Sequence, residues 1–96
     1  MDIQKAFGNS LRVTRKARNL SQEDFSDVSS RTYISSLERG LKSPTLEKVQ
    51  ALAERMEVHP LTLLAIAYLR EGRGSDLKDL LGRVKHEVDV IVGAGK

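Results

Sequence analysis

Residues 29 to 40 read SSRTYISSLERG, a stretch that holds four serines, a threonine and two arginines. Each hydroxyl can donate or accept a hydrogen bond, and each guanidinium is a rigid planar fork of donors. At roughly 100° per residue, Ile34 and Leu37 share one helix face, while Thr32, Ser35, Ser36 and Arg39 take the other with Arg31 at its edge. A solvated helix face usually carries Glu, Lys and Gln, which favour helix. Short hydroxyl side chains instead let a backbone approach whatever lies opposite. Those parts suit base edges in a DNA major groove: Arg can take guanine O6 and N7 with two bonds, Ser and Thr can donate or accept, and a Thr methyl can meet a thymine methyl. The competing reading is a serine-rich surface helix with no ligand.

The charge is placed to match. The net +3 lies wholly in residues 1 to 43, and Arg12, Arg15, Lys16 and Arg18 form a run with no acid among them. Such a run is either a solvated helix face or an anion-binding surface.

The elements that would position these groups follow from periodicity and caps. Ile3, Phe7 and Leu11, with Ala6, Ser10 and Thr14, recur at helical spacing and predict a first helix over 2–18, with Lys5, Arg12 and Lys16 on its far side. Ser21 can cap a short second helix over 22–28 by accepting the Asp24 amide, and Glu23 and Asp24 suit the positive end of its dipole. Ser30 caps a third over 31–39, which Gly40 closes in the left-handed conformation. Pro44 and Thr45 start a fourth to Met56 with Leu46, Val49, Leu52, Ala53 and Met56 as its stripe. Pro60 opens a fifth, LTLLAIAYLR, apolar almost all round and therefore covered on more than one side. A short capped helix, a tight turn and a second short helix with a groove-fitting face make a helix-turn-helix, which lays its second helix in the groove.

FGNSLRVTRKARNLSQEDF, RTYISSLERG and SPTLEKVQALAERMEVHPLTLL resemble the lambda-repressor and Cro family of bacterial and phage regulators, also called the XRE family, over residues 7 to 64. The signature is LSQE followed by YIS-x-LERG-x-x-x-PTL. The resemblance implies an all-α fold: a five-helix lambda-repressor-like DNA-binding domain over 1–70, followed here by a hinge and an additional C-terminal helix over 71–96. It also implies roles. Gln22 would bond a phosphate together with its helix N-terminus. Ser30, Arg31, Thr32 and Ser36 stand where the family reads bases, with Ser35 a lesser candidate. Arg39 and Lys42 would hold phosphates and fix register, and Glu38 would pair with Arg15 as a structural ion pair. In one respect the chain departs from the family: only SDVSS separates Phe25 from Arg31, with no Gly. Either the turn is tighter than usual or the second helix is shorter.

Gly72 and Gly74 mark the hinge, Ser75 can cap the last segment, and Leu77, Leu80, Leu81, Val84, Val88 and Ile91 fall on one narrow line at near-heptad spacing. Gly82 weakens that helix, and VDVIV could be extended or frayed. Together with Leu64 and Tyr68 of the fifth helix, this line is the candidate interface of a homodimer bound to a two-fold symmetric operator on double-stranded DNA, with half-sites about 34 Å apart. The alternative is that the segment folds back on the fifth helix within one subunit.

Composition excludes other classes. There is no Cys, and two His are too few for a metal site, so neither disulfide, metal nor other cofactor is expected. LTLLAIAYL is about half a bilayer span, which points to a cytoplasmic protein with no membrane partner. No enzyme is expected: the serines have no partnered His, and GRGS lacks the GK[ST] end of a phosphate loop. The leading expectation is a repressor of a mobile-element, phage-type or own operon. An antitoxin that binds a toxin through its C-terminal segment, or an adaptor holding transcription machinery, would use the same fold.

Overall fold

The computed structural model describes residues 2–71 and 76–93. Among them are five α-helices and one 3-10 turn, with no strand: α1 (Ile3–Ala17), the 3-10 turn (Gln22–Phe25), α2 (Arg31–Glu38), α3 (Leu46–Met56), α4 (Pro60–Glu71) and α5 (Leu77–Gly93). The all-helical, lambda-repressor-like fold expected from the sequence is the fold found. The hinge at Gly72 and Gly74 and the Ser75 cap lie outside the described residues.

The core is assembled from one stripe of each of the first four helices. Ala6, Phe7 and Leu11 of α1 meet Ile34 and Leu37 of α2, Val49, Leu52, Ala53 and Met56 of α3, and Leu63 and Ala67 of α4, with Phe25 of the 3-10 turn buried among them. Burying each of these large side chains contributes about 1.5–3 kcal/mol. Leu46 is 81% exposed although the wheel places it on the α3 stripe. It occupies the first helical position after the Thr45 cap, where the helix begins outside the packed core.

α4 packs against both α1 and α3, and α1 packs against α2. Two features of α1 set how its neighbours are held. A Cβ at Gly8 would lie 2.8 Å from the Glu38 carbonyl oxygen and closer still to that of Leu37, so the two backbones meet where only glycine fits. Ser10 donates to the Leu63 carbonyl at 2.7 Å, which ties the other side of α1 to α4.

The expected second helix is shorter than 22–28. The capping box forms, with Ser21 and Asp24 exchanging side-chain and backbone bonds, but the helix stops at Phe25. Val28 and Ser29 both donate to the Phe25 carbonyl at 2.8 Å, a turn that brings the chain to Arg31 in the five residues available. α3 secures this turn from the side: Lys48 Nζ donates to the Val28 carbonyl at 2.9 Å and Arg55 Nε to that of Asp24 at 3.0 Å.

α5 differs from the other helices in having no buried residue. It begins on Asp76, whose carboxylate accepts the Asp79 amide at 2.8 Å, and it runs as helix through VDVIV to Gly93. Only its first turns lie beside α4, where Leu77, Leu80, Leu81 and Val84 line grooves with Leu61, Leu64, Ala65 and Tyr68. Val88 and Ile91 extend past that contact and are exposed, as is Tyr68. α4 is consequently covered by α1 and α3 on one side and incompletely on the other.

Candidate nucleic-acid interface

α2 is fixed at both ends. Ser30 Oγ accepts the Tyr33 amide at 3.1 Å at its N-terminus. At the other end Gly40 takes φ +73°, with the Gly40 amide on the Leu37 carbonyl at 3.0 Å and the Leu41 amide on the Ser36 carbonyl at 2.9 Å. That pattern is a Schellman motif, which a left-handed residue makes possible. Eight residues at a rise of about 1.5 Å give a rod about 12 Å long, comparable with the major-groove width.

The inner side of α2 is anchored by charge as well as by packing. Arg15 donates from Nε to Glu38 Oε2 at 2.6 Å and from Nη2 to Oε1 at 3.0 Å, with side chains only 10% and 4% exposed. Arg15 also donates to the Leu20 carbonyl at 2.8 Å. The hydrogen bond to Glu38 pushes the Arg15 pKa above its ordinary value, so the guanidinium stays charged. Gln22 Nε2 joins the same carboxylate at 3.1 Å. One amide hydrogen of Gln22 is thereby used in holding the 3-10 turn to α2, while its carbonyl and second hydrogen are available for other partners.

The outer side carries the reading candidates. Arg31, Thr32, Ser35 and Arg39 line one shallow concavity together with Gln22. A second concavity beside it is lined by Arg12, Lys16, Gln22, Ser35 and Arg39, over the Arg15–Glu38 pair. The structure therefore gathers Gln22, Arg31, Thr32, Ser35 and Arg39 on one surface and adds Arg12 and Lys16 from α1. These two belong to the acid-free basic run, but its i, i+4 spacing alone does not show that they border the α2 face. Because Arg15 neutralises Glu38, the second concavity is strongly cationic and suits a phosphate.

Ser36 and Lys42 stand apart from that surface, and Ser30 also serves as the α2 cap. Ser36 is 8% exposed rather than facing outward with Thr32 and Ser35. Its carbonyl accepts the Leu41 amide in the turn that closes α2. Ser30 accepts the Tyr33 amide as the α2 cap, which leaves its O–H and a second lone pair for other partners. Lys42 lies apart from the α2 concavities, with its Nζ 5.7 Å from the Tyr33 ring centroid and Lys48 Nζ 5.5 Å from the same ring.

Among the described residues no group of three or more His, Asp or Glu could hold a metal, and no helix is long and apolar enough to cross a membrane.

Residues 11–63 match the profile of the helix-turn-helix family. The control protein C.SmaI of Serratia marcescens is 34% identical over 76 residues, covering 77% of this chain and 90% of that protein. An uncharacterised HTH-type transcriptional regulator, y4dJ, of Sinorhizobium fredii is 35% identical over 66 residues, 67% of this chain and 86% of that one. Among solved structures, the restriction-modification controller protein C.AhdI from Aeromonas hydrophila matches with a TM-score of 0.60 and 32% identity, over 62% of this chain and 94% of its own. The family match ends before α4 is complete and leaves α5 outside it. With its all-helical core and capped α2, the chain belongs to the lambda-repressor-like (XRE) helix-turn-helix family of DNA-binding transcriptional regulators, which are not enzymes.

Proposed function

We propose that the chain reads a specific duplex DNA sequence as a symmetric homodimer and controls transcription from it, with genes of a restriction-modification system the target class that its relatives favour. The observation that carries the reading is the exposed face of α2, where Arg31, Thr32, Ser35 and Arg39 sit together beside a cationic concavity bordered by Arg12 and Lys16. Arg31 and Thr32 face base edges, with Ser35 beside them. Arg39, Gln22, Arg12, Lys16 and Lys42 take phosphates, and Ser36 acts only through its packing. Repression follows where the occupied site overlaps a promoter, its own operon's included. A regulator of this kind would act in the bacterial cytoplasm.

Dimerisation through α4 and α5 is supported by what α5 leaves uncovered. Leu77, Leu81, Val84, Val88 and Ile91 alternate at spacings of four and three, and all are exposed. A 17-residue helix interrupted by Gly82 is marginal alone in water, even with the Arg83–Glu87 and Lys85–Asp89 pairs adding about 0.3–0.5 kcal/mol each. A second copy laid along the same line supplies the missing packing.

Selection from a random duplex library with the purified protein tests the reading. The expected product is a two-fold symmetric motif with half-sites about 34 Å apart and a steep salt dependence of affinity. Only weak, salt-sensitive binding with no enriched motif would overturn it and direct the search to a toxin or to transcription machinery as the partner.

A further inference from the structure

Glu23 is an acid on a surface built to meet phosphates, and neither the fold nor the capping of its element requires it. The capping box uses Ser21 and Asp24, and Glu38 is served by Arg15 and Gln22. The Glu23 carboxylate instead accepts from Arg31 Nη1 at 3.1 Å, with the two side chains 71% and 68% exposed. An ion pair so exposed contributes little to stability, so the fold does not explain its presence.

We propose that Glu23 orients the Arg31 guanidinium and thereby sets which base Arg31 accepts, an inference that rests on the DNA-reading function proposed above. Both partners stand on fixed backbone: Glu23 follows the Ser21 cap by two residues, and Arg31 is the first residue after the Ser30 cap. The pair spans the shortened turn between them. With Nη1 engaged, the Nε and Nη2 hydrogens remain as a fork, the geometry that takes guanine O6 and N7 together. Holding one nitrogen beforehand removes part of the rotamer freedom that a free arginine loses on binding. The carboxylate also repels phosphate oxygens, which disfavours an Arg31 that swings to the backbone and so penalises binding without a matched base. Glu23 is thus a positioning residue whose effect is read in base preference, not in the stability of the fold.

The test is a competition measurement on a panel of duplexes in which each position of the selected half-site carries each base in turn, using the wild-type chain, Glu23→Gln, Glu23→Ala and Arg31→Ala. Circular dichroism checks that the exposed substitutions leave helicity unchanged. Arg31→Ala is expected to relax one position by about fivefold to 150-fold. Both Glu23 variants are expected to relax that same position by about threefold or more, while binding to a scrambled duplex tightens, since a negative charge has left the interface. The inference is overturned if the Glu23 variants keep the preference at the Arg31 position, relax a different one, or weaken all duplexes alike. A wild-type chain with no preference at any position would overturn the DNA-reading function itself, and the inference with it.

Discussion

α2 and α5 are both amphipathic, yet they turn opposite faces to solvent. α2 buries Ile34 and Leu37 within the chain and leaves its hydroxyls and guanidiniums outside. α5 buries nothing and leaves Leu81, Val84 and Val88 outside. α2 is also held redundantly, by the Ser30 cap, the Schellman motif at Gly40, the Arg15–Glu38 pair and the contact at Gly8. Among the described residues, the first half of α5 lies along α4. The first arrangement fixes the surface proposed to read DNA before any ligand arrives, which reduces the ordering lost on binding. The second leaves an apolar line that the described residues do not bury, the condition under which a second molecule adds most.

The hold on α2 should give the largest effect when it is removed. Glu38→Ala would leave Arg15 buried without its partner and cost about 3–5 kcal/mol, seen as a lower urea midpoint with loss of binding to all duplexes. A wild-type midpoint would mean that α2 is not held by this pair. Next in size, Val88→Glu is expected to convert a dimer to a monomer in light scattering and to weaken operator affinity about 100-fold or more, since two linked half-site contacts become independent. Its urea midpoint should change little if the 2–71 core stands without α5. A Val88→Glu chain that remained dimeric would remove α5 from the interface.

Smaller effects sharpen the division within the α2 surface. Thr32→Ala should reduce discrimination at particular base pairs by about 1 kcal/mol, at the low end for a base contact, as measured on substituted duplexes. Lys42→Ala should weaken every duplex alike and lower the salt slope by about 1. A changed sequence preference in Lys42→Ala would move Lys42 into the reading group. The smallest change expected is at Gly82, where an added Cβ meets open space: Gly82→Ala should raise the helicity of α5, worth about 1 kcal/mol, with base preference unaltered.

Much of this molecule was legible in the sequence, because caps and periodicity are local. Ser21, Ser30, Thr45 and Gly40 do at their positions what their chemistry suggests, and the core stripes of α1 to α4 follow the 3.6 period. What escaped depends on where the chain goes next. Ser36 lies outward on a wheel and is nearly buried in the fold. Leu46 is in register with its stripe but stands ahead of the core. The 22–28 helix lost its last turn because five residues had to carry the chain from Phe25 to Arg31. Gly8 had a signal, a glycine amid helical periodicity, but its reason is a backbone from another helix. Glu23 reads in sequence as a dipole partner of its own helix, and only the folded turn brings it to Arg31.

The claim that α2 reads while α5 pairs is tested most directly by the mass of the complex on the selected duplex, measured by sedimentation across protein concentration. Two protomers binding together to one two-fold symmetric duplex, reduced to weak independent single binding by Val88→Glu, is the predicted result. A single protomer binding that duplex with full affinity and full base preference would contradict it.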